Sequence, residues 1–243
     1  MNLIIEQGNS NTKVAVYSQG ENMFSSVYKQ FKDSDLMKIS NRYPLQKGIF
    51  STVIKPDQAL IFNLENMLER FIFLDEDIRL PLESRYQTPE TLGRDRISVV
   101  VGANYLQPKT DLLVIDAGTA ITYDLVEASG IYLGGNISPG MTTRFRALNM
   151  FTERLPLLRE TEDVPLLGTD TDSAIIAGVV NGIVYEMDGY IEALQKKYSN
   201  LFVFLTGGHA FYFEKRLKNT IFAVPNLALI GLNRILEYNV EKQ

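Results

Sequence analysis

"IIEQGNSNTK", residues 4–13, starts as an apolar run, reaches a carboxylate at Glu6 and passes through small polar residues to Lys13. The run reads as a strand, with Gly8–Thr12 as the tight turn into a second strand, "KVAVYSQG". "VIDAGTAITYD", residues 114–124, has the same layout 110 positions later. Glu6 falls on Asp116, Gly8 on Gly118, Asn9 on Thr119 and Thr12 on Thr122. Either hairpin alone is an ordinary polar turn. Repeated, each with an acid at its strand end, they point to two halves with a shared plan and a shared ligand.

The ligand class follows from the residue types. A carboxylate at a strand end can hold Mg2+ directly or through water. The glycine after it lets backbone N–H groups face inward, where they form an anion-binding concavity. Asn9, Ser10, Asn11, Thr12, Thr119 and Thr122 are small enough to bond phosphate oxygens without crowding them. Lys13 adds charge suited to a β- or γ-phosphate. Two such hairpins facing each other would grip the phosphate tail of a nucleotide.

The rest of the composition narrows the setting. The chain has 243 residues, enough for one or two domains of ~100–200 residues. A formal charge of −5 argues against a broad nucleic-acid or anionic-membrane surface, since both need a basic patch. A local anion pocket built from N–H groups is still compatible with it. There is no cysteine, which removes disulfides, thiolate metal sites and a cysteine nucleophile, and suits a reducing cytosol. One histidine, His209, leaves little scope for histidine metal clusters. "ISVVVGA" and "AIIAGVVNGIV" are interrupted by Gly or Asn and fall short of the ~20 residues of a membrane span. A cytoplasmic protein with neither nucleic acid nor membrane as partner is expected.

Helical periodicity appears at 56–71, 94–106, 171–198 and 226–239, the last starting at an Asn226 N-cap. Gly178 and Gly182 sit one turn apart, so a neighbouring element could approach there. "LFVFLTGGHA", 201–210, reads as a strand entering a double-glycine turn, and "GGNISPG", 134–140, as a loop before an amphipathic helix around 145–156. The break between halves falls near 106–111, giving expected domains 1–108 and 109–243.

In "YQTPETLGRDRISVVVGA", 86–103, Gly93 permits a tight turn into a helix and Asp95 falls in its first turn. Acids there commonly complement the helix dipole. Arg94 and Arg96 on either side suggest a second role, holding an anionic substrate while Asp95 takes a proton from its hydroxyl. Thr171 in "GTDTDSAIIAG" reads as a helix N-cap, with a substrate contact as the alternative. "TGGHA" offers glycine backbone to a flat nucleobase.

Taken together, these segments resemble the type III pantothenate kinase family of the actin, Hsp70 and sugar-kinase superfold. The family shows acid-x-G-N-[TS], Y-x-x-P-x-x-L-G-x-D-R, D-x-G-T-A-x-T-x-D, G-G-x-I-x-P-G, a Thr before a long helix, and T-G-G. Here these read "EQGNS", "YQTPETLGRDR", "DAGTAITYD", "GGNISPG", "GTDTDSAIIAG" and "TGGHA", in family order from residue 6 to 210. The resemblance implies an α/β fold of two duplicated actin-like (ribonuclease H-like) domains with a cleft between them. It implies transfer of the ATP γ-phosphate to the primary hydroxyl of pantothenate, the first step toward coenzyme A. Glu6, Gln7, Gly8, Asn9, Ser10, Asn11, Thr12 and Lys13 would bind the ATP phosphates, and Thr119 would touch ATP. Asp95 would be the general base. Tyr86, Gly93, Arg94 and Arg96 would line the pantothenate pocket, with Thr171 reaching it from the partner of a homodimer whose active site lies near the subunit interface. Asp116 would hold a monovalent cation, K+ or NH4+.

One position departs from the family, which usually has Asp where this chain has Glu6. The extra methylene carries the carboxylate about 1.5 Å outward in an extended rotamer, which puts its expected role toward Mg2+ in question. Three rival readings stay open: another kinase of the superfold, a phosphatase of the superfold, and a nucleotide-binding regulatory protein resembling a transcriptional activator.

Overall fold

A computed structural model describes residues 1–240; the last three residues of the expected second domain, 241–243, lie outside the described residues. In chain order the elements are β1 (Asn2–Gln7), β2 (Thr12–Ser18), β3 (Glu21–Tyr28), α1 (Asp33–Arg42), β4 (Lys47–Thr52), α2 (Gln58–Met67), β5 (Arg70–Phe73) and β6 (Glu83–Ser84). There follow α3 (Arg94–Leu106), β7 (Leu112–Ala117), β8 (Ala120–Val126), β9 (Ile131–Pro139), α4 (Met141–Met150) and α5 (Thr171–Gln195). The chain ends with β10 (Phe202–Thr206), α6 (Ala210–Glu214), β11 (Phe222–Ala223) and α7 (Leu227–Val240). They form two compact units.

Among the described residues the first unit comprises 1–109, 129–133 and 226–240. Its sheet has the order β3-β2-β1-β4-β5. β1 pairs antiparallel with β2 and parallel with β4. Leu3, Ile4 and Ile5 are all buried, as expected of a strand covered on both faces. Leu3 and Ile5 pack with Val14 and Val16 against Leu36 and Ile39 of α1 and Leu60 and Leu64 of α2. α7 packs on β1 and β4, and also along α3. The two helices meet backbone to backbone. A Cβ at Gly102 would strike Leu227 O, and one at Gly231 would strike Ser98 O. This close approach accounts for glycine in two helix interiors, where it costs about 1 kcal/mol relative to alanine.

The expected division at 108/109 placed the last helix in the second domain; the structure places it in the first unit. The apolar face of 226–239 was legible, but not the partner that glycine contact selects.

The second unit comprises residues 110–128 and 134–225. Its strands run β11-β10-β7-β8-β9. β7 is antiparallel to β8 and parallel to β10. Leu113, Ile115, Tyr123, Phe145, Ile183 and Met187 belong to its core. Where a loop was expected at 134–140, strand β9 continues to Pro139. The glycines there serve close pairing: a Cβ at Gly135 would collide with Tyr123 O, and Gly134 has φ +110°. The helix expected around 145–156 instead spans 141–150 as α4. The 56–71 helix ends at Met67, and Arg70–Phe73 becomes β5. α5 is capped by Asp170, whose side chain accepts Ser173 N–H at 2.8 Å, and not by Thr171. α5 is long and apolar enough to cross a membrane, in contrast to the expectation, but half of its most apolar window is buried inside the protein. Ile175, Val180, Ile183, Met187 and Ile191 carry it as a core helix.

Candidate active site

The first hairpin closes with Gly8 N–H donating to Asn11 O at 2.9 Å, leaving Asn9 and Ser10 at an exposed tip. Thr12 is buried opposite Gln7, whose Oε1 accepts Thr52 Oγ1 at 3.0 Å. Glu6 and Lys13 are cross-strand partners, and Lys13 Nζ lies 3.1 Å from Glu6 Oε2. The carboxylate considered for Mg2+ is therefore engaged by the ammonium considered for phosphate.

The second hairpin is one residue shorter. Gly118 N–H donates to Ala120 O at 3.0 Å, with Thr119 alone at the exposed tip. Asp116 therefore pairs with Thr122, so the structural counterpart of Thr122 is Lys13 rather than Thr12. The match holds through the acid and the glycine and slips by one at the exit.

Two other motifs converge on this second turn. Gly140 N–H and Thr143 Oγ1 both donate to Thr119 O, at 3.0 and 2.7 Å. A Cβ at Gly140 would strike the Gly118 and Thr119 carbonyls. From the other side, His209 N–H donates to Ala117 O at 3.1 Å. Gly207, at φ +94°, lies so close to Asp116 Oδ1 and the Ala117 backbone that only a glycine fits. "DAGTAITYD", "GGNISPG" and "TGGHA" thus form one local constellation around Asp116–Thr119.

Asp95 stands in the first turn of α3 in the first unit. Its Oδ1 accepts Arg96 N–H at 2.9 Å, and a Cβ on the N-cap Gly93 would overlap that oxygen. Arg96 is buried, donates to Tyr86 Oη at 3.4 Å, and its guanidinium lies 5.3 Å from the Tyr86 ring centre. Tyr86 stacks on Tyr132 at 6.2 Å between ring centres. Arg94 is held by Glu76 at 2.9 Å. Tyr86, Gly93, Asp95 and Arg96 are thus brought together, while Arg94 has an acidic partner of its own. Thr171, at the exposed start of α5, lines a concavity of about 740 Å³ with Pro139, Arg144, Leu148, Leu155 and Ile175.

For a monovalent cation the second hairpin offers a fitting donor set. The Thr122 hydroxyl oxygen is buried without a hydrogen-bond partner, across the strand pair from the Asp116 carboxylate. Among the described residues there is no group of three metal-ligating side chains. A divalent ion held mainly by phosphate oxygens and water fits that inventory better than a protein-caged one.

The sequence reading passed over a polar cluster in the second unit. Glu186 accepts Tyr123 Oη at 2.8 Å, bonds Ser138 Oγ, and forms an ion pair with Arg144. Burial pushes the Glu186 carboxyl upward, but bonds from Ser138, Arg144 and Tyr123 outweigh it and hold the group below the usual carboxylate range. Burial, reinforced by Glu186, pushes the Tyr123 hydroxyl well up, so it remains a donor. An acid inside the apolar run of α5 was the available signal.

The profile of the type III pantothenate kinase family matches residues 2–193. A type III pantothenate kinase of Phocaeicola vulgatus is 48% identical over 244 residues, covering 98% of this chain and 99% of that one. A solved structure from Campylobacter jejuni, of a protein assigned to the Baf family of transcriptional activators, is 24% identical with a TM-score of 0.61, over 98% and 99% of the two chains. One from Sinorhizobium meliloti, assigned as a 2-dehydro-3-deoxygalactonokinase, is 12% identical with a TM-score of 0.62, over 98% and 99%. At these identities the two structures speak for the fold alone, that of the actin-like sugar kinases. The profile match and the near full-length identity to the Phocaeicola enzyme settle the family: the chain belongs to the type III pantothenate kinases.

Proposed function

We propose that Asp95 is the general base of this pantothenate kinase, with Tyr86, Gly93, Arg94 and Arg96 around the pantothenate and the two hairpins on the ATP. The family uses ATP with a divalent metal. Phosphoryl transfer passes through a loose, highly charged transition state, so positioning and charge stabilisation supply most of the acceleration. With Gly8 N–H closing the turn on Asn11 O, the tip residues Asn9 and Ser10 would offer N–H groups and side chains to the phosphates, and Lys13 its charge once nucleotide competes with Glu6 for it. Thr119 touches the nucleotide from the second hairpin. Asp95 accepts the proton of the primary hydroxyl as the new P–O bond forms.

Asp116 and Thr122 are the residues that would hold K+ or NH4+, and Glu6 would reach Mg2+ through water. Cations held there would supply positive charge against that developing on the phosphate oxygens.

The observation that carries the assignment is the collar around Asp95. A glycine N-cap leaves room for its carboxylate, and a buried arginine beside it is aimed by a tyrosine. Asp95→Asn is expected to retain ATP binding and lose about 10²–10⁴ in turnover. Near-normal turnover would refute the base. ADP release measured with and without pantothenate, in K+ and then Na+ buffer, tests acceptor and cation together.

A homodimer is part of the same reading. Met150, Phe151, Leu166 and Leu167 are more than 70% exposed, and the outer side of α5 at Gly178 is open. A second copy covering this side would bring its Thr171 to the pantothenate. The Campylobacter neighbour motivates one rival, a nucleotide-binding regulator, which ATP binding without turnover of any acceptor would favour. A cytoplasmic location is proposed with the metabolic role.

A further inference from the structure

Glu186 lies within α5, yet its carboxylate serves three other elements. Tyr123 Oη of β8 and Ser138 Oγ of β9 meet one oxygen, and Arg144 of α4 meets the other. Arg144 in turn donates Nε to Pro139 O at 2.8 Å and Nη2 to Ser138 Oγ at 3.3 Å. The cluster is concentrated on the corner where β9 turns into α4, residues 138–144.

Fold stability is a poor reason for it. The Arg144 and Glu186 side chains are 22% and 24% exposed, and a largely buried pair gives back much of its attraction as desolvation, so its net contribution to stability is small. The apolar face of α5 already anchors that helix to the sheet. What the bonds add is a set orientation for the corner. From that corner, Gly140 N–H and Thr143 Oγ1 reach out and share the carbonyl of Thr119. Ser138 is two residues from the first of these donors, and Arg144 is adjacent to the second. A carbonyl held by two donors fixes its peptide plane, and with it the direction of the Thr119 side chain and the neighbouring N–H groups at the hairpin tip.

We infer that Glu186 is a positioning residue for phosphoryl transfer: through Arg144 and Ser138 it sets the β9–α4 corner, which holds the Thr119 peptide and aims the second hairpin at ATP. The inference rests on the reading that Thr119 touches the nucleotide. Mutational effects that travel through one shared element combine non-additively, whereas independent effects multiply in affinity.

The test is a double-mutant cycle read as ATP affinity by calorimetry, with Mg2+ present and pantothenate absent. Thr119→Ala and Glu186→Gln are each expected to weaken ATP about 5–20-fold, and the double variant to fall well short of their product. Ser138→Ala, a smaller change that keeps both charges, is measured alongside. It is expected to weaken ATP in the same direction by less, and it stands in for Glu186→Gln should that variant fail to fold. If Thr119→Ala weakens ATP while Glu186→Gln and Ser138→Ala leave it unchanged, the positioning role is overturned and the hairpin reading stands. Full multiplicativity also overturns it, because Glu186 then acts by another route. If Thr119→Ala itself has no effect, the nucleotide reading of the second hairpin fails and the inference fails with it.

Discussion

Glu6 shows how one methylene changes what a side chain can touch. In this chain its carboxylate reaches across the β1–β2 pair to Lys13 at 3.1 Å. An aspartate there would draw the carboxylate back by about 1.5 Å and loosen its hold on the ammonium. Glu6→Asp is therefore expected to leave turnover unchanged or raised and the apparent KM for ATP unchanged or lowered. The cost in stability should be about 1 kcal/mol or less, as for partly exposed ion pairs. Steady-state kinetics and a thermal melt check both; complete loss of activity would mean that the length of the Glu6 side chain is itself needed for turnover. The pairing was not legible in the sequence. It depends on register, and the register of the first hairpin is one residue longer than the internal match with 114–124 implied.

At the scale of elements, the contact of α3 with α7 is the most exacting. Gly231 faces Ser98 O and the Gly102 backbone so closely that a Cβ cannot be accommodated without parting the helices. Gly231→Ala should lower stability by about 1–3 kcal/mol, the usual range for overpacking. Because α3 carries Asp95 at its start, turnover should fall as well. A Gly231→Ala protein as stable and active as the parent would mean the helices are free to separate. Some elements were legible in the sequence alone. β1 and β7 declared themselves by apolar runs ending in an acid and a glycine, β2 and β8 by resuming directly after the tight turns, and α3 by its start after Gly93. Others were hidden by non-local causes. The glycines of 134–140 imitate a loop because the residue types suited to close strand pairing at Tyr123 O are those of turns. Glu186 stood out only as an acid within an apolar helix; its partners at 123, 138 and 144 are distant in sequence and hid what it does.

At the scale of the whole molecule, the open question is whether one chain contains all the groups the reaction uses. Asp95 belongs to the first unit and Thr171 to the second, and the dimer reading has Thr171 serve the pantothenate of its partner. This can be separated from service within one chain by complementation. Thr171→Glu would set a carboxylate against anionic pantothenate, and Asp95→Asn removes the base; each homodimer should be nearly inactive. If Thr171 acts across the interface, a mixed dimer contains one site with an intact Asp95 and an intact partner Thr171. Random exchange makes half the dimers mixed, each with one good site of two, so co-expression should recover about one quarter of the parental rate. If Thr171 acts within its own chain, every site in a mixed dimer lacks one group and no activity returns. Affinity capture of differently tagged chains, through one tag and then the other, establishes that mixed dimers have formed, so an inactive mixture containing them would place the whole site within a single chain.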